Sequence, residues 1–187
     1  GLGDVYKRQG PLMPISNYGT FKLASEAVLS SFVEDNNCKL YIYRFPNVVG
    51  SDSTHGVIFD FINKLKADSK VLKVLGNGEQ MKPYLHIDDL VGVIVHCLQY
   101  QLIGCVNATA PNPVRQRDLI RIIARVAGAP QFLPGLPKVV LSFFLGEMHK
   151  LVFDSIYAKP QQLLESRYQY KYSDINSCVR DLIQKKK

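Results

Sequence analysis

Between Tyr18 and Asn107 the sequence switches repeatedly between helical spacing of apolar residues and short apolar runs, and this alternation restricts the folds open to it. Phe21, Ala24, Val28 and Phe32 recur at helical intervals, which predicts a helix over residues 18–35. Ser16 or Asn17 is available as its cap, and Asn36-Asn37 as its stop. KLYIYRF, residues 39–45, comes next without polar alternation, as a strand covered on both faces reads. The pattern then predicts a helix over 57–67, a strand over 71–75, a turn at GNGEQ, a strand at YLHI, a helix over 88–100 and a strand over 105–107. Strands separated by helices build a mainly parallel sheet, so the fold class is α/β.

Past Pro111 the rhythm changes. Helical patterns over 116–127, 139–153 and 175–184 are joined by the Pro-rich PQFLPGLP, which predicts a mostly helical C-terminal domain over 111–184. Residues 1–9, GLGDVYKRQ, fit no element and read as the translation of a sequencing adapter, to be set apart from the fold. The folded chain is therefore expected to start at residue 10, with a first region over 10–110 and a basic tail at 185–187.

The formal charge of +7 raises the question of an anionic partner. Lys185, Lys186 and Lys187 carry three of those charges, and no stripe of aromatic and basic residues accompanies the rest, so no nucleic-acid partner is expected. The apolar run Val139 to Leu145 is far shorter than the roughly 20 residues a bilayer crossing needs, so no membrane partner is expected either. Cys38, Cys97, Cys105 and Cys178 form no CxxC pair and lie near no His tract. They read as free, mostly buried thiols of a cytoplasmic protein.

Three segments carry residues fit for chemistry. In YGTFK, Tyr18 and Lys22 are one helical turn apart, which puts their Cβ atoms about 5–6 Å from each other on one face. A tyrosine acts as a base near neutral pH only if its pKa of about 10 falls by roughly 3 units, and a neighbouring ammonium pushes it that way. About one such spacing is expected by chance in a chain of this composition, so the pair gains meaning only from the two segments C-terminal to it. In FPNVVG, Asn47 comes where the predicted strand ends, the position at which ligands collect in open α/β sheets, although Pro-Asn is also ordinary turn chemistry. In LGNGEQMKPYLHIDDL, Lys82 offers a point charge to a phosphate, Asp88 reads as the helix cap with Asp89 also in a capping role, and His86 reads as a structural histidine with no obvious second ligand near it.

Taken in order, P-x-S-x-YGTFK with Glu26 after it, RFPNVVG and GNGEQMKPYLHIDDL resemble the extended short-chain dehydrogenase/reductase superfamily. The likeness is to its NAD-dependent epimerase/dehydratase branch, the UDP-glucose 4-epimerase type, over about residues 14–110. The resemblance implies the C-terminal part of a Rossmann-like parallel sheet plus a mostly helical substrate lobe, with NAD as cofactor, NADP as the alternative, and a nucleotide sugar as substrate. It assigns Tyr18 as catalytic acid/base and Lys22 as the lysine that holds the nicotinamide ribose. Pro46 would touch the nicotinamide, Asn47 the substrate diphosphate, Lys73 and Leu75 the nucleotide base, and Lys82 a phosphate usually met by Arg. The phenolate would take a proton from a sugar hydroxyl while that carbon gives a hydride to the cofactor.

The family's Gly-rich phosphate turn and catalytic Ser or Thr precede the tyrosine, and neither Gly1-Leu2-Gly3 nor Gly76-Asn77-Gly78 continues to a third glycine at the required place. The chain is therefore expected to be an N-terminally truncated fragment, inactive as given. From about residue 105 it is similar to epimerase-family proteins with an uncharacterised C-terminal domain, on Gly146-Glu147-Met148, Lys159-Pro160 and Leu163-Leu164. That likeness supports an alternative role as a non-catalytic NADP-binding or interaction member. The family also pairs through the Tyr-Lys helix, so a homodimer is in keeping with it.

Overall fold

A computed structural model describes residues 14, 16–51, 53–67, 74–75, 78–128, 135–136 and 155–184. Helix α1 (Asn17–Asn36) matches the first predicted helix. Of the two candidate caps Ser16 is the one used, its Oγ accepting from Gly19 N at 3.2 Å. Asn37 ends the helix in the left-handed conformation, φ 47°, that asparagine tolerates better than most side chains.

Strand β1 (Tyr41–Arg44) pairs in parallel with a later strand, β6 (Gly104–Asn107), in the register Tyr41 to Gly104 and Arg44 to Asn107. All four β1 residues are half-buried, so the strand is not covered on both faces as its apolar run suggested. Asn47–Val49, which reads as a turn, forms β2, parallel to the YLH segment; its Pro46 imposes only the φ that an entering strand also uses. Helix α2 (Val57–Ala67) comes next, then β3 (Val74–Leu75), β4 (Met81–Lys82), β5 (Tyr84–His86) and helix α3 (Ile87–Gln99). After β6 come β7 (Val114–Arg115), helix α4 (Gln116–Ala127), β8 (Gly135–Leu136), the short helix α5 (Gln161–Glu165) and helix α6 (Ile175–Gln184).

Three of the four strand pairs among the described residues are parallel, as the alternation predicts, and β4 with β7 is antiparallel. That pair continues into the turn before it, where Gln116 N donates to Gln80 O and Arg117 N to Gly78 O. Gly78 has φ +73°, and a Cβ there would lie 2.9 Å from the Arg117 Cβ, so only glycine closes this junction unstrained.

The core has two parts. Val49, Ile58, Phe61, Ile62 and Tyr84 pack with Leu119, Ile120 and Ile123 of α4 and Val179 and Leu182 of α6. Leu85, Val93, Cys97, Val106 and Leu163 make the second. All four cysteines are free, with Cys97, Cys105 and Cys178 buried and Cys38 exposed; burial pushes the Cys178 thiol up to about 12.

Two capping assignments change. Helix α3 begins at Ile87, so its cap is His86 rather than Asp88: His86 Nδ1 accepts from Asp88 N at 3.1 Å. Asp88 falls in the first turn, where a carboxylate complements the helix dipole. Asp89 is buried and accepts from Lys171 N at 2.7 Å and Tyr172 N at 2.9 Å, fastening a distant loop to α3. The helix expected over 139–153 and residues 71–73 of the expected strand lie outside the described residues. Helix α5 is too short for periodicity to signal it.

Candidate functional site

Two clefts open on either side of Phe45, at the carboxyl end of β1. The larger, about 470 Å³, is lined by Tyr18, Lys22, Leu23 and Glu26 of α1 and by Tyr43 and Arg44 of β1. The helix supplies these residues because positions 18, 22 and 26 are successive turns of one face. Tyr18 is 72% exposed, and the Lys22 ammonium lies 5.5 Å from the centroid of its ring, a cation–π arrangement. In the cleft lining, Glu26 grips Arg44 through both carboxylate oxygens: Nε lies 2.9 Å from Oε1 and 3.2 Å from Oε2, and an Nη2 contact to Oε2 completes the fork. Tyr43 has its pKa raised by burial first and by the neighbouring Cys97 and Tyr41 after it.

The second cleft, about 330 Å³, is lined by Pro46, Asn47, Val48 and Gly50 and by Ser53, His55 and the first turn of α2. Ile62, Tyr84 and Leu182 also line it. Tyr84 is fully packed, its hydroxyl donating to Gln116 Oε1 at 3.2 Å, and burial pushes its pKa far above the ordinary phenol value. Leu182 comes from α6, so the C-terminal helix reaches the same cleft as the loop after β1.

The predicted residues thus divide into three groups. Tyr18 and Lys22 meet in the first cleft, and Pro46 and Asn47 adjoin them across Phe45 in the second. Lys82 is half-buried in the antiparallel β4–β7 pair and lines neither cleft. Leu75 is in β3, paired with Leu136, and Lys73 lies outside the described residues.

Sequence reasoning gives Glu26 and Arg44 no role, although both belong to the motifs. The signal is there: Glu26 is one turn beyond Lys22, and Arg44 immediately precedes FPNVVG. It also misses the carboxylates around His86: Asp88 Oδ2 lies 3.8 Å from its Nδ1, and Asp181 of α6 brings Oδ2 to 3.3 Å from its Nε2, a pairing across 95 residues that no local pattern signals. Tyr172 stacks on the imidazole at a centroid separation of 4.0 Å and donates its hydroxyl to Asp181 Oδ1 at 2.9 Å. Among the described residues no group of three or more His, Cys, Asp or Glu is placed to hold a metal ion, and no helix is long and apolar enough to cross a membrane.

Known proteins share this fold. An epimerase family protein of Bacillus subtilis, YfhF, is 34% identical over 114 residues, which are 60% of this chain and 37% of that protein. UDP-glucose 4-epimerase of Thermus thermophilus, solved with NAD, superposes with a TM-score of 0.75 at 20% identity, over 94% of this chain and 55% of that one. The human epimerase family protein SDR39U1, solved with NADPH, gives 0.66 at 20% identity, over 78% and 48%. The two likenesses to solved structures are of fold, and in all three the match spans little more than half of the other protein or less. Residues 136–182 match a domain of unknown function, DUF1731. Residues 3–104, more than half of the chain, match the NAD dependent epimerase/dehydratase family, and the chain belongs to it.

Proposed function

We propose that this chain is the acid/base and sugar-binding part of an NAD(P)-dependent nucleotide-sugar epimerase or dehydratase. One observation carries the reading: Tyr18 and Lys22 open together onto a cleft that adjoins Asn47 across a single residue, at the carboxyl end of a parallel strand. Their donor set suits the nicotinamide and ribose end of a dinucleotide, with Lys22 and the Tyr18 hydroxyl facing the ribose and Pro46 the ring. When bound, that cofactor supplies reversible hydride acceptance. Tyr18 exchanges the proton of the sugar hydroxyl, Lys22 places a positive charge beside it, and Asn47 donates its amide to the diphosphate. The exposed α1 and the partial match to YfhF and to the Thermus enzyme support a site completed by further polypeptide that carries the Gly-rich turn. By itself the 187-residue chain is then inactive.

The test uses the longer enzyme that contains this segment. Tyr18→Phe lowers sugar-nucleotide turnover by about 10³-fold, at the upper part of the range for a general acid/base, while cofactor affinity holds. Unchanged turnover would remove Tyr18 from the role. The second reading, an NADP-binding member without turnover, rests on the DUF1731 match and the NADPH-bound human neighbour. NADPH binding with no turnover of any UDP-sugar by the intact protein would favour it.

A further inference from the structure

Helix α1 carries the Tyr-Lys pair, yet none of its twenty residues is buried. Interlocked core packing, which normally fixes a helix along and around its own axis, is therefore missing here. Among the described residues α1 is tied to β1 by the Glu26–Arg44 fork, set in a half-buried stripe with Gly19, Leu23, Ser30 and Val33. A bidentate guanidinium–carboxylate contact constrains direction as well as distance, because both partners are planar. Both side chains are about a quarter exposed, 25% for Arg44 and 22% for Glu26, so water screens the pair less than a surface ion pair.

The ends of the fork sit at informative places. Glu26 is on the same helical face as Tyr18 and Lys22, two turns and one turn away. Arg44 is the last residue of β1, directly before Phe45, Pro46 and Asn47. One contact therefore joins the proton-transfer face to the loop that lines the second cleft.

We propose that Glu26 and Arg44 are positioning residues: their fork sets the register of Tyr18 and Lys22 against Pro46 and Asn47. The proposal rests on the acid/base reading of Tyr18 and Lys22. A displacement of about 1 Å at a reacting pair costs on the order of 10²-fold in rate, so the fork acts on turnover far more than on stability.

The test is made in the longer enzyme with UDP-glucose and UDP-galactose as probes. Glu26→Gln and Arg44→Lys each keep size and lose the charged fork; kcat is expected to fall by about 10–10²-fold with KM for the sugar nucleotide and melting temperature unchanged. The double exchange Glu26→Arg with Arg44→Glu is expected to regain at least half of the lost log rate. An unchanged kcat in both single variants, or a fall in kcat matched by a fall in melting temperature, overturns the proposal. If Tyr18→Phe leaves turnover intact, the acid/base reading itself has failed. If Tyr18→Phe is dead while the fork variants are fully active, only the positioning role has.

Discussion

Helices α1 and α4 both carry apolar residues at helical intervals, but only α4 gathers them on one face, and the two have opposite surroundings. Along α1, Tyr18, Phe21, Val28 and Phe32 are 57–72% exposed, and none of its residues is buried. Along α4, Leu119, Ile120 and Ile123 are 0–1% exposed, and they form the seam with α2 and α6. Periodicity reports that a helix forms and which side is apolar; what covers that side is decided by the rest of the molecule. Helix α4 is covered by α2, earlier in the chain, and by α6, later in it. Helix α1 exposes Tyr18 and Lys22 and joins β1 through the Glu26–Arg44 pair.

Four substitutions test this contrast, in descending order of effect. Leu119→Ala empties a fully buried site and should cost about 2–5 kcal/mol of unfolding free energy in urea. A loss under 1 kcal/mol would show that the α4 seam is not the core. Asp89→Ala strands the amides of Lys171 and Tyr172 and should cost about 2–3 kcal/mol by the same measurement.

Asp174 accepts from Asn176 N at 2.8 Å and Ser177 N at 3.2 Å at the start of α6, so Asp174→Ala should cost about 1 kcal/mol. Burial acts to raise its carboxyl, but the bonds from Ser177 and Asn176 outweigh it and hold the pKa below 3.8. Because the folded value is the lower one, the stabilisation is complete above that ordinary value and is lost as pH falls through the folded one. Urea titrations of both proteins should therefore converge in acid; a gap that widens as pH falls would reverse the sign. Phe32→Ala, on the exposed α1 face, should stay within about 0.5 kcal/mol of the parent. A loss as large as that of Leu119→Ala would mean that α1 is packed after all.

Local chemistry was legible. Helices α1 to α4 and α6 and the mainly parallel sense of the strand pairs follow from spacing and turn residues. Long-range geometry was not. The β4–β7 pair joins segments 33 residues apart in antiparallel sense, and it takes Lys82 away from both clefts. Asp181 reaches His86 only because α6 packs beside β5, and no pattern within α6 marks one aspartate for a distant histidine. Glu26 and Arg44 belong to recognisable motifs, but their fork exists only once α1 lies along β1.

On the proposed reading, Tyr18 and Lys22 belong to a dinucleotide site whose phosphate-binding turn lies in other polypeptide. Calorimetric titration of the folded 187-residue protein with NAD tests this most directly. No saturable heat is expected at concentrations on the order of micromolar. Stoichiometric binding with a micromolar Kd, lost in Lys22→Met, would contradict it.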